Sequence, residues 1–382
     1  MRLAVWEWRK LFRLPALWVF VGLCLVFNGL LLSSPSALDR AFFNDTSADA
    51  ALLGQRVDQA FLTGLDALPD TENRALLRPY VTGLENTLEG YDTGELTAFY
   101  QELMEGDTLA QSWMAWKYGL LQARVDHLAR TGAALDLYVG PITHDSHQYL
   151  YDTLFRAIVA EGILLGLLCA LYLVGYEGMS GTRALTCASR TGRKLWRSKA
   201  LAALAAALGL YALLVLLTLG PYLILWDYGG IWSASVSSQF NYFVDMLHPR
   251  PFLTWADFTV GSYFAAMVAA GGALVAVFTL MGAVAGLLIG NTYGAAIGAA
   301  ALCALMIGLS SVLVNNLGLW WAYLLTTFSP AHLWLSISGW FTELGQGGLI
   351  PWQETAGLAL NLLVWGGFTL LALRRFGRKD VA

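Results

Sequence analysis

The chain has 382 residues, 57% of them hydrophobic and only 13% charged, with 15 tryptophans, a mean hydropathy of +0.55 and a formal net charge of −4. Soluble domains carry about a quarter of their residues as charges. Several apolar runs here exceed the roughly 20 residues that span a bilayer's hydrocarbon, which excludes a large soluble core. The charge is divided along the chain: residues 34–153 hold 18 acidic and 7 basic side chains, and the remainder holds 9 and 16.

The opening "MRLAVWEWRKLFR" alternates Arg2, Arg9, Lys10 and Arg13 with Trp6, Trp8, Leu11 and Phe12. Over residues 1–14 this predicts a short amphipathic helix lying in the membrane interface. The apolar run 15–33 follows, and Pro15 suits the bend into the membrane because it supplies no interior helical N–H. The basic-then-apolar order resembles a signal peptide. However, the run is longer than an ordinary signal core and no convincing small-x-small site follows, so it reads as an uncleaved first span.

Residues 34–153 are expected to form a mainly helical outer domain. Leu96, Phe99, Leu103 and Leu109 recur at roughly helical spacing, and Trp113, Trp116, Leu120, Leu121 and Leu128 are expected to give a further helix its apolar face. Cys24, Cys169 and Cys303 fall in expected spans and Cys187 in a basic loop, so a disulfide-stapled outer domain is excluded. "HDSH", with His144, Asp145 and His147, falls short of the three or four convergent ligands a metal needs and reads as a polar loop. The triplet "NDT" at 44–46 fits a glycosylation acceptor but is short enough to arise by chance.

The second span is expected at 156–176, a basic loop at 177–199, and the third span at 200–224, followed by an outer loop at 225–260. The apolar region 261–317 is too long for one crossing, and "GNTYG" at 290–294 is the polar interruption near its middle. It divides into spans at 261–288 and 294–315. An outer hairpin at 316–355, with Trp320, Trp321, Trp334 and Trp340 as interfacial anchors, precedes the sixth span at 356–374 and a tail at 375–382. Residues 2–13 carry four Lys/Arg, residues 177–199 six, and residues 374–379 four. Retention of positive charge inside then places these three segments in the cytoplasm. The expectation is an all-α polytopic protein of the cell membrane, a bacterial plasma membrane, with six transmembrane helices and cytoplasmic N and C termini.

Glu161 is the one acid set well within a span. An intramembrane carboxylate suggests a substrate path or gating, against a near-interface group that reaches water or pairs with Arg156. Gly282, Gly286, Gly290, Gly294 and Gly298 recur every four residues, a spacing that lets helices approach closely. The middles of the other spans hold no ionisable residue, so the energy source is expected outside this chain. No "GxxxxGK[ST]" occurs, and no nucleophile–base–acid set or metal-ligand set is recognised. Neither enzymatic activity nor a nucleic-acid partner is expected.

The basic loop carries more pattern than orientation requires. In "EGMSGTRALTCASRTGRKLWRSK", small and polar residues lead into a possible helix, "RALTCA", and a "SRTGRKLW" turn. Glu177, Gly181 and Thr182 form a Glu-x3-Gly-Thr pattern, followed by Ser189, Arg190, Arg193, Lys194 and Lys199. With "WEWRKLFR" before the first span, the insertion after it, "SPAHLWLSI" after the fifth and the basic "LRRFGRKDV" ending, nearly the whole chain resembles the membrane subunit of ABC-2 type ABC transporters. The outer region of about 120 residues departs from that family's smallest members.

The resemblance implies that the loop is a coupling helix seated on a separate cytoplasmic ABC ATPase. Glu177 would orient the segment, Thr182 to Ala188, with Arg183 and Leu185, would supply the docking surface, and Arg190, Arg193 and Lys194 would touch the ATPase or lipid phosphates. ATP and Mg2+ would reside in the ATPase, with no cofactor in this chain. A second membrane subunit, identical or homologous, and membrane lipids complete the implied partners, and the implied activity is export of an amphipathic antimicrobial peptide, lipid or drug. The alternative is a membrane-anchored sensor or scaffold whose outer domain binds a peptide and whose basic loop recruits a cytoplasmic partner.

Overall fold

The computed structural model describes residues 2–138, 140–189, 192–243 and 252–378; among them every regular element is helical, and extended pairing is limited to isolated bridges. Helix α1 (Arg2–Phe12) leads to α2 (Pro15–Ser33), whose first residue is the bending proline. Trp18 Nε1 donates to Phe12 O across the bend at 2.8 Å. Trp8 Nε1 donates to Ala202 O at 2.9 Å, pinning α1 to the bundle.

The outer region is built of α3 (Ala37–Leu53), α4 (Gln59–Ala67), α5 (Glu72–Thr82), α6 (Gly94–Leu103) and α7 (Thr108–Thr131). Ser36, Asp58, Thr71 and Asp107 each cap a helix by accepting backbone N–H groups, and Gly132 ends α7 in the left-handed conformation at φ +62°. The buried face of α7 matches the expected one only at Leu121 and Leu128. Met114, Lys117, Tyr118, Leu121, Val125 and Leu128 face the core, whereas Trp113, Trp116 and Leu120 are exposed, as are Phe99, Leu103 and Leu109. A lysine sits in the middle of the true core stripe, so counting aromatic residues selects a neighbouring face. Met104, Met114, Tyr118 and Val125 pack with Phe240, Leu253 and Leu324 from the later outer loops.

Helix α8 (Pro141–Gln148), a π-helical stretch (Tyr149–Phe155) and α9 (Arg156–Met179) run on without a break. The apolar helix Ile142–Met179 has 38 residues, about 57 Å at 1.5 Å per residue, so its outer turns stand clear of a hydrocarbon layer of about 30 Å. After α10 (Arg183–Ala188), helix α11 (Leu195–Leu225) begins before the expected position 200. Next come α12 (Phe240–Phe243), α13 (Val260–Ile289), α14 (Thr292–Asn315), α15 (Trp320–Thr326), α16 (Pro330–Leu335) and α17 (Gln353–Arg378).

Among the described residues six helices, α2, α8–α9, α11, α13, α14 and α17, are long and apolar enough to cross a membrane. Their exposed residues include Leu23, Val26 and Leu30 on α2, Ile297 and Leu305 on α14, and Leu363 and Leu370 on α17. Such surfaces match lipid as the surrounding solvent. The chain is thus an all-α, six-span, multi-pass membrane protein with a mainly helical region outside the spans.

Helices α9, α11 and α13 form the centre, and small residues set their spacing. A methyl on Gly166 would overlap Thr279 Oγ1, and one on Gly162 would lie 2.9 Å from Val275 Cγ2. Gly282 and Gly286 serve the same contact with α9: a methyl there would stand 3.1 Å from Leu167 Cδ2 and Val174 Cγ1 respectively. The four-residue glycine spacing then changes meaning. Gly290, at φ +72°, makes the α13–α14 turn, while Gly294 and Gly298 lie against Ile289 of the same hairpin.

Among described side chains α14 buries only Ala295, Ala299 and Ser310, and an apolar cleft opens on each side of it. One, of about 550 Å³, lies between α9 and α14 and includes Phe278 and Trp334; the other, of about 490 Å³, lies between α13, α14 and α17. In the outer hairpin Trp340 is not an interfacial anchor. It is fully buried, donating from Nε1 to Leu333 O at 3.1 Å, whereas Trp321 is exposed.

Candidate coupling site at the basic end of the bundle

Six crossings leave α1, α10 and the end of α17 on one face, and their contacts agree. Trp196 of α11 packs on Phe376 of α17 with ring centroids 4.6 Å apart, and the Arg183 guanidinium sits 5.0 Å over the same ring. Helix α9 ends where Gly181, at φ +68°, reverses the chain. Thr182 N donates to Glu177 O at 2.9 Å, and Thr186 Oγ1 returns to Thr182 O at 3.0 Å. The loop is therefore a fixed turn leading into α10.

Helix α10 buries none of its own residues, and Leu185 at its middle is 77% exposed. Leu185 is thus an apolar side chain held outward in a basic segment. Lys194 is exposed. Arg190, and the side chain of Arg193, lie outside the described residues.

Beneath α10 lies a buried ionic quartet. Lys199 of α11 is 0% exposed, Glu177 of α9 3% and Glu7 of α1 2%. Lys199 Nζ pairs with Glu177 Oε2, lies 3.3 Å from Glu7 Oε2 and donates to Leu173 O at 2.6 Å. Lys10 Nζ completes the ring, 2.8 Å from Glu7 Oε1 and 3.3 Å from Glu177 Oε1, with Tyr176 beneath it at 4.7 Å. Partial burial acts to lower the Lys10 pKa, but hydrogen bonding and charge from Glu7 and Glu177 outweigh it and hold the group above its ordinary 10.5. Two positive and two negative charges cancel, which is the condition for keeping them out of water. The quartet ties the interfacial helix, the exit of α9 and the entry of α11 into one unit directly below the exposed turn.

Sequence reasoning named Glu177 and Lys199 but not Glu7, Lys10 or Tyr176 as their partners. The available signal was Glu7 itself, a lone acid in "WEWRKLFR".

Glu161 is buried in a different setting, towards the outer side. Asn28 Nδ2 of α2 donates to Glu161 Oε2 at 2.9 Å and to Thr218 Oγ1 of α11 at 3.1 Å. Glu161 lines neither cleft beside α14. Arg156 is engaged elsewhere, with Asp152, Leu335 O and Ser338, and does not neutralise it. Among the described residues no group of three metal-ligating side chains occurs. His147 is buried against Tyr138, whose hydroxyl lies 3.0 Å from Nδ1. Asn44 is committed to the fold, accepting from Asp227 N and donating to Leu225 O.

A second buried pair was not anticipated. Lys117 Nζ lies 2.6 Å from Glu343 Oε1 and donates to Gly345 O and Gly348 O, fastening α7 to the outer hairpin. Comparison with protein-family models, curated proteins and solved structures finds no match.

Proposed function

We propose that the chain is the membrane subunit of an ATP-driven exporter of the ABC-2 kind, with α10 as the element that receives force from a separate cytoplasmic ATPase. The observation that carries this reading is Leu185, 77% exposed on a helix that buries nothing yet stands on a charge-neutral buried quartet. Force reaches spans only through packed, ordered contacts. Displacing α10 would pull on α9 through Glu177 and on α11 and α1 through Lys199, Glu7 and Lys10. Arg183, lying over Phe376, would carry the same motion to α17.

Two such subunits, identical or homologous, would enclose the path. Helix α14 supports this, since it is shallowly packed and the apolar cleft between it and α9 suits an amphipathic peptide, lipid or drug. Glu161, held by Asn28 between α2, α9 and α11, serves span packing in this scheme.

The test places a photo-crosslinking amino acid at Leu185 of the full chain in native membranes. The expected adduct is a protein with a P-loop nucleotide-binding motif. An adduct with a kinase or other regulator, or none beyond lipid, overturns the reading.

A further inference from the structure

The cleft between α13, α14 and α17 continues into a second hollow of about 430 Å³ nearer the basic end, and the two share Leu288, Ala372 and Arg375. They form one groove. Its upper part is lined by Val284, Leu302, Trp365, Phe368 and other apolar groups, and its lower part by Leu287, Phe376, Arg375 and Arg378. Among the described residues no acidic side chain lines either part, and neither Arg375 nor Arg378 forms an ion pair. Arg183, whose guanidinium lies 5.0 Å over the Phe376 ring, adds a third positive charge beside the groove, and among the described residues its sheltered Nε has no hydrogen-bond partner.

We propose that this groove is a binding site for one anionic phospholipid of the leaflet on the basic side. An acyl chain would fill the apolar seam and the phosphate would sit at Arg375 and Arg378. A recessed hollow open to hydrocarbon is filled by lipid chains, and the chemistry at its mouth selects which lipid. Guanidinium groups match phosphate oxygens in fork geometry, and bases at the membrane surface favour anionic headgroups. A second copy of the chain fits less well, because a twofold axis along the membrane normal brings residues of equal depth together and would set these arginines against their own copies. The inference rests on the six-span topology and not on the transporter reading. It also places a lipid headgroup beside Phe376, on which α10 leans through Arg183.

The test uses the full-length chain in bilayers of equal parts phosphatidylcholine and phosphatidylglycerol, with retained lipid identified by native mass spectrometry. The wild type is expected to keep one phosphatidylglycerol in preference. Each base near an anionic surface is worth about a factor of five in affinity, so R375Q/R378Q is expected to weaken that preference roughly 25-fold. R374Q, adjacent but outside the groove, is expected to retain it. Ala285→Trp, which fills the upper hollow and leaves the arginines, is expected to displace the lipid. Unchanged retention in the double variant, an equal loss in R374Q, or disulfide-linked dimers through Leu371→Cys in place of bound lipid would each overturn the proposal.

Discussion

Replacing Lys199 by Met tests the quartet most severely. The wild-type ring holds two positive and two negative charges, with Lys199, Glu177 and Glu7 essentially out of water. Lys199→Met preserves side-chain length but leaves Glu177 and Glu7 facing each other with only Lys10, at 3.3 and 2.8 Å, between them. Breaking a buried pair by removing one partner costs about 3–5 kcal/mol, most of it from the charge left behind. Adding Glu177→Gln restores neutrality and leaves the Glu7–Lys10 pair in place. The double variant K199M/E177Q is therefore expected to lie within about 2 kcal/mol of wild type, well short of the sum of the two single losses. Lys10→Met should cost less, because that side chain retains 31% exposure. The assay is denaturation in mixed micelles, followed by tryptophan fluorescence for all members of the cycle. A loss below about 1 kcal/mol in K199M, or additive losses in the double variant, refutes the argument.

Three further outcomes follow from other parts of the fold. Lys117→Met should release α7 from the outer hairpin, costing about 3–5 kcal/mol; limited proteolysis should find new cleavage near 343–349, and K117M/E343Q should recover part of the loss. Gly286→Leu meets Val174 of α9 and should destabilise the bundle by about 1–3 kcal/mol, whereas Gly294→Leu meets Ile289 and Asn291 of its own hairpin and should cost under about 1 kcal/mol in the same micelle assay. Burial holds the His332 imidazole below its ordinary 6.5, so the unfolded chain takes up this proton first. Its stability contribution is intact above about 6.5 and is lost as pH falls towards the lower folded value. His332→Gln should flatten the acid limb of a thermal-unfolding profile between pH 7 and 5, and an unchanged limb would contradict this.

The membrane class and six spans were legible because run length and Lys/Arg placement act locally, each segment against the bilayer. Helix α10 was legible for a related reason: the small-residue reversal at Gly181 and Thr182 and the short apolar-polar segment after it are contiguous. What escaped depends on residues distant in sequence. Glu7 reads as one acid in a basic amphipathic helix until α9 and α11 bring Glu177 and Lys199 to it. Lys117 reads as the polar side of α7 until Glu343 arrives from the hairpin, and that pair turns Trp113 and Trp116 outward. The glycine spacing was visible, but its division into an α9 contact, a turn and an intra-hairpin contact required knowing that the chain folds back at Gly290.

The most direct measurement of the coupling proposal is complex formation and ATP hydrolysis by the full chain, in lipid, with the ATPase captured at Leu185. Wild-type chain is expected to bind that ATPase and change its hydrolysis rate. Leu185→Glu should abolish both effects while leaving thermal unfolding unchanged, because α10 buries no residue of its own. Binding and hydrolysis equal to wild type in Leu185→Glu would contradict the assignment of α10 as the docking lever.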